Sequence, residues 1–154
     1  MSKLILGQPA PEFELPDQNG DTVRLSQFRG RNPVVIFFYP KDDTTGCTIE
    51  ACRFRDEFGK FSGIQDARII GISSDSSASH AAFAAKYNLP YTLLSDRGGR
   101  VRKLYGVPKT FGILPGRATF VVDRGGVLRH FFSSQAQAAK HIDEALAALA
   151  AITP

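Results

Sequence analysis

Two cysteines, five positions apart, carry the most reactive side chains of this sequence. The 154 residues contain only Cys47 and Cys52 as thiols. Free cysteines are often inert core residues, and at this point that interpretation stays open. A domain of this length does not need a disulfide to fold, and four-coordinate zinc would need two more ligands. The histidines are remote and are not spaced as a metal pair, so we expect no metal and no cofactor: His80, His130 and His141.

The sequence around Cys47 predicts a reactive thiolate. A continuous apolar run over 33–39 predicts a strand that is buried on both faces. Thr44 or Thr45 then fits the N-cap of a helix, which puts Cys47 in the first helical turn. Unpaired backbone N–H groups and the helix dipole stabilise an anion there, so the thiolate is favoured over the thiol. The carboxyl end of a central strand is also where open α/β sheets place their chemistry.

Helical spacing separates the environments of the two sulfurs. The helix is predicted over 45–61, and its inward stripe consists of Cys47, Ala51, Phe54, Phe58 and Phe61. Five steps of about 100° place Cys52 roughly 140° away from Cys47, on a more exposed flank. We therefore expect one cysteine in a sheltered pocket and the other facing away from it.

The rest of the pattern predicts a single α/β domain over 1–154. A hairpin, two buried strands and alternating helices lead to two final strands whose four-residue connection is too short for a crossover helix, so that pair must be antiparallel. The predicted elements are a hairpin at 12–15 and 22–25, strands at 68–73, 91–94, 118–122 and 127–132, and helices at 77–87, 100–105 and 135–152. The fold class is α/β, with a mixed central sheet flanked by helices and an N-terminal β-hairpin.

Composition argues against several partners. The net charge is +4, but the basic residues are scattered apart from a cluster at 100–103, so we expect no nucleic acid. The apolar runs are far below the roughly 18 residues of a membrane span, so we expect no membrane association. The first residues do not fit a secretory signal. We expect a cytoplasmic protein, or a plastid protein if this is a mature chain.

One motif is specific enough to indicate a family. Pro40-x-x-x-Thr44-x-x-Cys47 matches the active-site motif of peroxiredoxins, and 38–56 resembles the peroxiredoxin Q, or bacterioferritin comigratory protein, subgroup. Similar segments at 7–13, 71–75, 91–96 and 116–123 extend the resemblance over nearly the whole chain. The subgroup usually has proline where this chain has Thr45. The resemblance implies a thioredoxin-like fold.

The resemblance also implies a reaction and its residues. Cys47 thiolate would attack the terminal oxygen of hydrogen peroxide or an organic hydroperoxide and become sulfenic acid, and Cys52 would then form an intramolecular disulfide with it. Thioredoxin or a similar dithiol reductant would restore both thiols. By analogy with the family, Thr44 and Arg117 orient the peroxide and stabilise charge, while Pro40 shields the pocket. The implied protein is an antioxidant peroxidase, expected as a monomer or a weak dimer.

Other interpretations remain beside this one. A thiol–disulfide oxidoreductase or redox chaperone on the same fold would usually carry Cys-x-x-Cys and a cis-proline where this chain has Ala118. A binding module that merely keeps the fold is a further alternative. Tyr39 is interpreted as the last residue of a core strand, and the three histidines are interpreted as surface or packing residues without a catalytic role.

Helix geometry sets a condition on the disulfide. On a regular α-helix, residues five apart have Cα atoms roughly 8.6 Å from each other. A disulfide needs less than about 7 Å and converging Cβ vectors. We therefore expect that a bond between Cys47 and Cys52 requires part of the helix to unwind.

Overall fold

The computed structural model describes residues 4–108, 116–134 and 137–152. The predicted fold class is confirmed, because an antiparallel N-terminal hairpin precedes a five-stranded mixed sheet flanked by helices. The strands are β1 (Glu14–Pro16), β2 (Thr22–Arg24), β3 (Val34–Phe38), β4 (Arg68–Ser73), β5 (Thr92–Ser95), β6 (Ala118–Val122) and β7 (Leu128–Ser133). The α-helices are α1 (Thr45–Asp56), α2 (Phe58–Ser62), α3 (Ser77–Tyr87), α4 (Arg100–Leu104) and α5 (Ala138–Ala151).

The order of the strands brings distant parts of the chain to one edge of the sheet. The order is β5-β4-β3-β6-β7, with β3 parallel to β4 and antiparallel to β6. In this register Phe38, the last residue of β3, lies opposite Ala118, the first residue of β6. The loop after β3 and the residue before β6, which is Arg117, are therefore neighbours.

Both faces of the sheet are covered, which explains why the five residues of β3 are all buried. On one face the packing includes the hairpin and α4, and on the other it includes α1, α3 and α5. Phe54 from α1 stacks on Phe37 from β3, with ring centroids 4.5 Å apart. The predicted inward stripe is confirmed, since Cys47, Ala51, Phe54 and Phe61 are buried on this second face and Phe58 packs partly buried against them.

One boundary differs from the prediction. The helix expected over 45–61 bends at Glu57, where α1 has ended and α2 has not begun. The backbone N–H of Glu57 still donates to the Arg53 carbonyl, and the Glu57 carbonyl accepts from Phe61. Glu57 is therefore hydrogen-bonded to both helices across the bend. Gly59, a weak helix former, lies just beyond it. In the described part of the chain, no helix is long and apolar enough to cross a membrane.

Candidate active site

Thr44 occupies the N-cap position of α1, but its side chain does not cap the helix. The residue has the extended backbone typical of an N-cap, with φ −95° and ψ 157°. Its hydroxyl donates to the carbonyl of Lys41 at 2.9 Å, within the loop that follows β3. The predicted N-cap position is therefore right, whereas a capping role for the hydroxyl is wrong, because its oxygen accepts no hydrogen bond from a backbone N–H of the helix.

Cys47 lies in the first turn of α1 and is 1% exposed. Arg117, 70 positions later and 3% exposed, donates from Nη2 to the Cys47 sulfur at 3.5 Å. The register between β3 and β6 explains how a residue so distant in sequence reaches the start of α1. A buried sulfur thus has a guanidinium on one side and a helix N-terminus around it, and both stabilise a thiolate.

A third member of this site, Glu50, was not found from the sequence. Glu50 is 0% exposed, and its Oε1 accepts a hydrogen bond from Arg117 Nη1 at 2.5 Å. Burial raises the pKa of Glu50 to about 8, although the Arg117 guanidinium opposes this shift. One signal was available: Glu50 follows Cys47 by three residues, so it falls beside the inward stripe of the helix, where an unpaired carboxylate is costly.

Glu50 and Cys47 both favour the charged form of Arg117. Burial alone would lower the pKa of this guanidinium, but Glu50 and Cys47 raise it overall. Among the described residues, neither Arg117 Nε nor Glu50 Oε2 has a hydrogen-bond partner. The site is therefore buried and charged but not saturated with hydrogen bonds.

His141 lies near Glu50 and is neutral at physiological pH. Its Nε2 faces the carbonyl of Ser134 at 2.8 Å and must donate, so Nδ1 accepts from the Thr119 hydroxyl at 2.8 Å. Burial lowers the pKa of His141 to about 4. Its Nδ1 carries no hydrogen and lies 3.6 Å from Glu50 Oε2, beyond hydrogen-bond distance. The expectation that the histidines are surface or packing residues is therefore incomplete, since His80 and His141 are fully buried in polar networks.

Cys52 lies on the same helix as Cys47 but in different surroundings. Both cysteines are free thiols, and Cys52 is partly exposed. Burial raises the pKa of the Cys52 thiol, with Arg55 opposing the shift and Asp56 adding to it. The structure does not bring the two sulfurs together, because α1 is continuous between them.

A family model and similar known proteins match this chain over most of its length. The model of the AhpC/TSA family matches residues 6–131. This chain belongs to the AhpC/TSA family. It is 54% identical to peroxiredoxin Q, chloroplastic, from Suaeda salsa, over 95% of this chain and 68% of that protein. It is 55% identical to the same-named protein of Arabidopsis thaliana, over 94% and 67%.

Solved structures of family members have the same fold as this chain. Peroxidoxin BcpB from Mycobacterium tuberculosis is 41% identical with a TM-score of 0.87, over 97% of this chain and 98% of that one. Xanthomonas campestris peroxiredoxin Q is 31% identical with a TM-score of 0.79, over 90% of each chain. The predicted resemblance is confirmed: the chain is a peroxiredoxin of the peroxiredoxin Q type and a thiol peroxidase. Peroxiredoxins reduce peroxides with electrons from thioredoxin-type reductants.

Two further residues belong to the loop between β3 and α1 or contact it. Pro40 is partly exposed and lies in this loop. Arg102 of α4 donates to the carbonyls of Tyr39 and Gly116, both at 2.7 Å, so it ties this loop to the chain that carries Arg117. In the sequence, Arg102 belongs to the basic cluster at 100–103, and its residue type gives no sign of a structural role. In the structure it is buried, and burial lowers its pKa. Helical periodicity within that cluster could have indicated an inward member.

Proposed function

We propose that Cys47 is the sulfur that reacts with hydroperoxide and that Cys52 is the one that resolves the product. The observation that carries this proposal is the hydrogen bond from buried Arg117 to buried Cys47. Cys52 has no comparable donor in the described contacts, and the direction of its pKa keeps it a thiol at neutral pH. The two positions therefore suit an attacking thiolate and a reserve thiol.

The proposed reaction has three steps. The Cys47 thiolate attacks the terminal peroxide oxygen, the O–O bond breaks, and the leaving alkoxide or hydroxide takes a proton from solvent to become alcohol or water. Cys52 sulfur then attacks the sulfenic sulfur, and water leaves as the disulfide forms. Finally, a dithiol reductant such as thioredoxin attacks the disulfide and is itself oxidised, which returns both thiols.

Thr44, Arg117 and Pro40 act on the first step in this proposal. Arg117 supplies a preorganised cationic donor beside the breaking O–O bond, the kind of contact that contributes most in a buried site. Thr44 already donates its hydrogen to Lys41, so its oxygen is available to accept the hydroperoxide O–H. Pro40, at the head of the same loop, excludes water from the sulfur.

We propose that the whole chain, 1–154, works as one domain, as a monomer or weak dimer, without nucleic acid or membrane. A thiol peroxidase needs a compartment whose reductants keep cysteines reduced. The cytoplasm meets that need, and so does the plastid in which the plant relatives are placed by name. The family model and the relatives' coverage support the single-domain proposal.

Stopped-flow measurement of peroxide consumption tests the division of roles. The reduced wild-type protein should turn over repeatedly with hydrogen peroxide, thioredoxin and thioredoxin reductase. Cys52→Ser should give one fast oxidation of Cys47 and then stop with thioredoxin, because no intramolecular disulfide can form. Sustained wild-type turnover by Cys52→Ser would contradict the resolving role. A thiol–disulfide oxidoreductase would reduce a disulfide substrate without consuming peroxide.

A further inference from the structure

A second buried polar network lies under the loop that carries Thr44, and it centres on His80 of α3. His80 is 0% exposed, and its Nε2 faces the Leu94 carbonyl of β5 at 2.9 Å. A carbonyl only accepts, so Nε2 carries a hydrogen. Its Nδ1 lies 2.7 Å from Oδ2 of Asp42, a buried residue in the loop between Pro40 and Thr44. A proton must occupy this second contact as well, because two lone pairs would otherwise face each other.

Every other contact of Asp42 also fixes the loop. Tyr39 donates its hydroxyl to Asp42 Oδ1 at 2.6 Å, and Ser79 donates to Oδ2 at 2.8 Å. Burial, aided by Asp42, raises the pKa of Tyr39 well above its ordinary value, so its hydroxyl stays a donor. The Asp42 backbone N–H donates to Asp75 at 2.8 Å.

These contacts identify a structural network rather than a cation site. Ligand atoms of Asp42, Asp75 and His80 lie within 4.8 Å of one another. However, both oxygens of Asp42 already accept hydrogen bonds, and one oxygen of Asp75 accepts from Ser73 and from the Asp42 backbone. Donors therefore hold the positions that a metal ion would need.

The neighbouring residue shows why the loop needs such support. Asp43 is held in the left-handed region, at φ 58°, which residues other than glycine adopt only where their surroundings impose it. Its carboxylate accepts from Lys86 and Tyr87, at the other end of α3. Side chains of α3 thus bind the carboxylates of both Asp42 and Asp43. Thr44 is the next residue of the loop.

We propose that His80 is a positioning residue of the peroxidase reaction: by fixing Asp42 it sets the place of the Thr44 hydroxyl, although it touches neither sulfur nor substrate. The inference rests on the proposed function. A displacement of about 1 Å at a positioning group costs about 10²-fold in rate. Loss of the contact between His80 and Asp42 should therefore slow peroxide attack while the fold persists.

Two substitutions separate the two ring nitrogens. The amide nitrogen of an asparagine lies near the place of Nδ1, and that of a glutamine lies near Nε2. His80→Asn keeps the donor to Asp42, and His80→Gln keeps only the donor to Leu94. We expect the rate constant for oxidation of Cys47 by hydrogen peroxide to fall about 10- to 100-fold in His80→Gln and less than about 3-fold in His80→Asn. His130→Gln, at a half-exposed histidine paired with Glu144, is the matched control and should leave the rate unchanged.

A double-mutant cycle with Thr44→Val tests the route. If His80 acts through Thr44, the loss in His80→Gln should largely disappear in the Thr44→Val background. Ser79→Ala removes a second donor to the same carboxylate and repeats the cycle if His80→Gln does not fold. Equal rates for His80→Asn and His80→Gln, or losses that multiply in the double variant, would overturn the proposal. A wild-type protein that consumes no peroxide would instead overturn the proposed function.

Discussion

The first turn and the second half of α1 place the same residue type in opposite surroundings. In the first turn, Cys47 is buried against Arg117, and Arg117 in turn binds Glu50. Further along, Cys52 is partly exposed, and the helix nearby is held by two bonds to other elements, from Tyr91 to the Ala51 carbonyl and from Arg55 to the Tyr87 carbonyl. The contrast teaches that position in the fold, rather than residue type, distinguishes the two sulfurs, and the roles we propose for them rest on that difference.

The same contrast predicts which part of the helix would unwind when the proposed disulfide forms. Both cysteines lie on continuous helix, where their Cα atoms are roughly 8.6 Å apart and a disulfide cannot close. The first half is anchored by the buried hydrogen bond from Arg117 to Glu50, whereas the second half ends at Asp56, next to the bend at Glu57. Unwinding from the Cys52 end therefore costs less than unwinding from the Cys47 end.

The largest effect is expected from Cys47→Ser. This variant should consume no peroxide above the uncatalysed rate, because a serine hydroxyl at neutral pH is a poor nucleophile without an adjacent base. Cys52→Ser, the same change five residues away, is the control and should keep the rate of the first oxidation. Stopped-flow mixing with hydrogen peroxide measures both. A substantial peroxidase rate in Cys47→Ser would remove the contrast between the two ends.

Arg117→Ala should have the next largest effect. It removes the donor to the Cys47 sulfur, and we expect peroxide attack to slow by about 10²-fold or more. Arg117→Lys should rescue only part of the rate, since an ammonium cannot bind Glu50 and the sulfur with a paired fork. Arg129→Ala, which breaks an exposed ion pair with Asp123, is the control. A rate constant and pH–rate profile like those of wild type would exclude Arg117 from the site.

The smallest effect concerns the pH dependence of stability. Glu50 in the folded protein keeps its proton up to a pKa of about 8, against an ordinary value of 4.5. The unfolded chain releases that proton earlier, so this residue makes the free energy of unfolding fall as pH rises from 4.5 to 8. His141 acts oppositely, but only between its lowered pKa of about 4 and its ordinary 6.5. Of these two residues, only Glu50 contributes between pH 6.5 and 8.

Urea unfolding at several pH values measures how the free energy of unfolding depends on pH. A Cys47→Ser background removes that thiol from the measurement. Glu50→Gln should flatten the dependence of the unfolding free energy on pH between 6.5 and 8. Asp56→Asn, an exposed acid on the same helix, should leave it as it was. Identical slopes with and without Glu50 would show that its carboxyl is ionised throughout this range in the fold.

Local patterns were enough to predict the sheet and most helices, because a buried strand or an amphipathic helix shows in the hydrophobic periodicity of neighbouring residues. The site was less predictable where partners are distant. Glu50 meets Arg117 only because β6 pairs with β3, and the burial of His80 depends on Asp42 and on β5. The Thr44 hydroxyl donates to the Lys41 carbonyl in the loop and does not accept from the backbone of the helix. Residue spacing does not decide which of these local hydrogen bonds forms.

Hydrogen exchange across residues 45–58, in the reduced and the disulfide forms, tests the central claim most directly. The account predicts protected amides in the reduced protein and the loss of protection over about one to two turns around Cys52 once the bond to Cys47 has formed. Mass spectrometry must confirm that the disulfide is present in the oxidised sample. Equal protection in the two forms would contradict the account, because the two sulfurs would then have joined without unwinding α1.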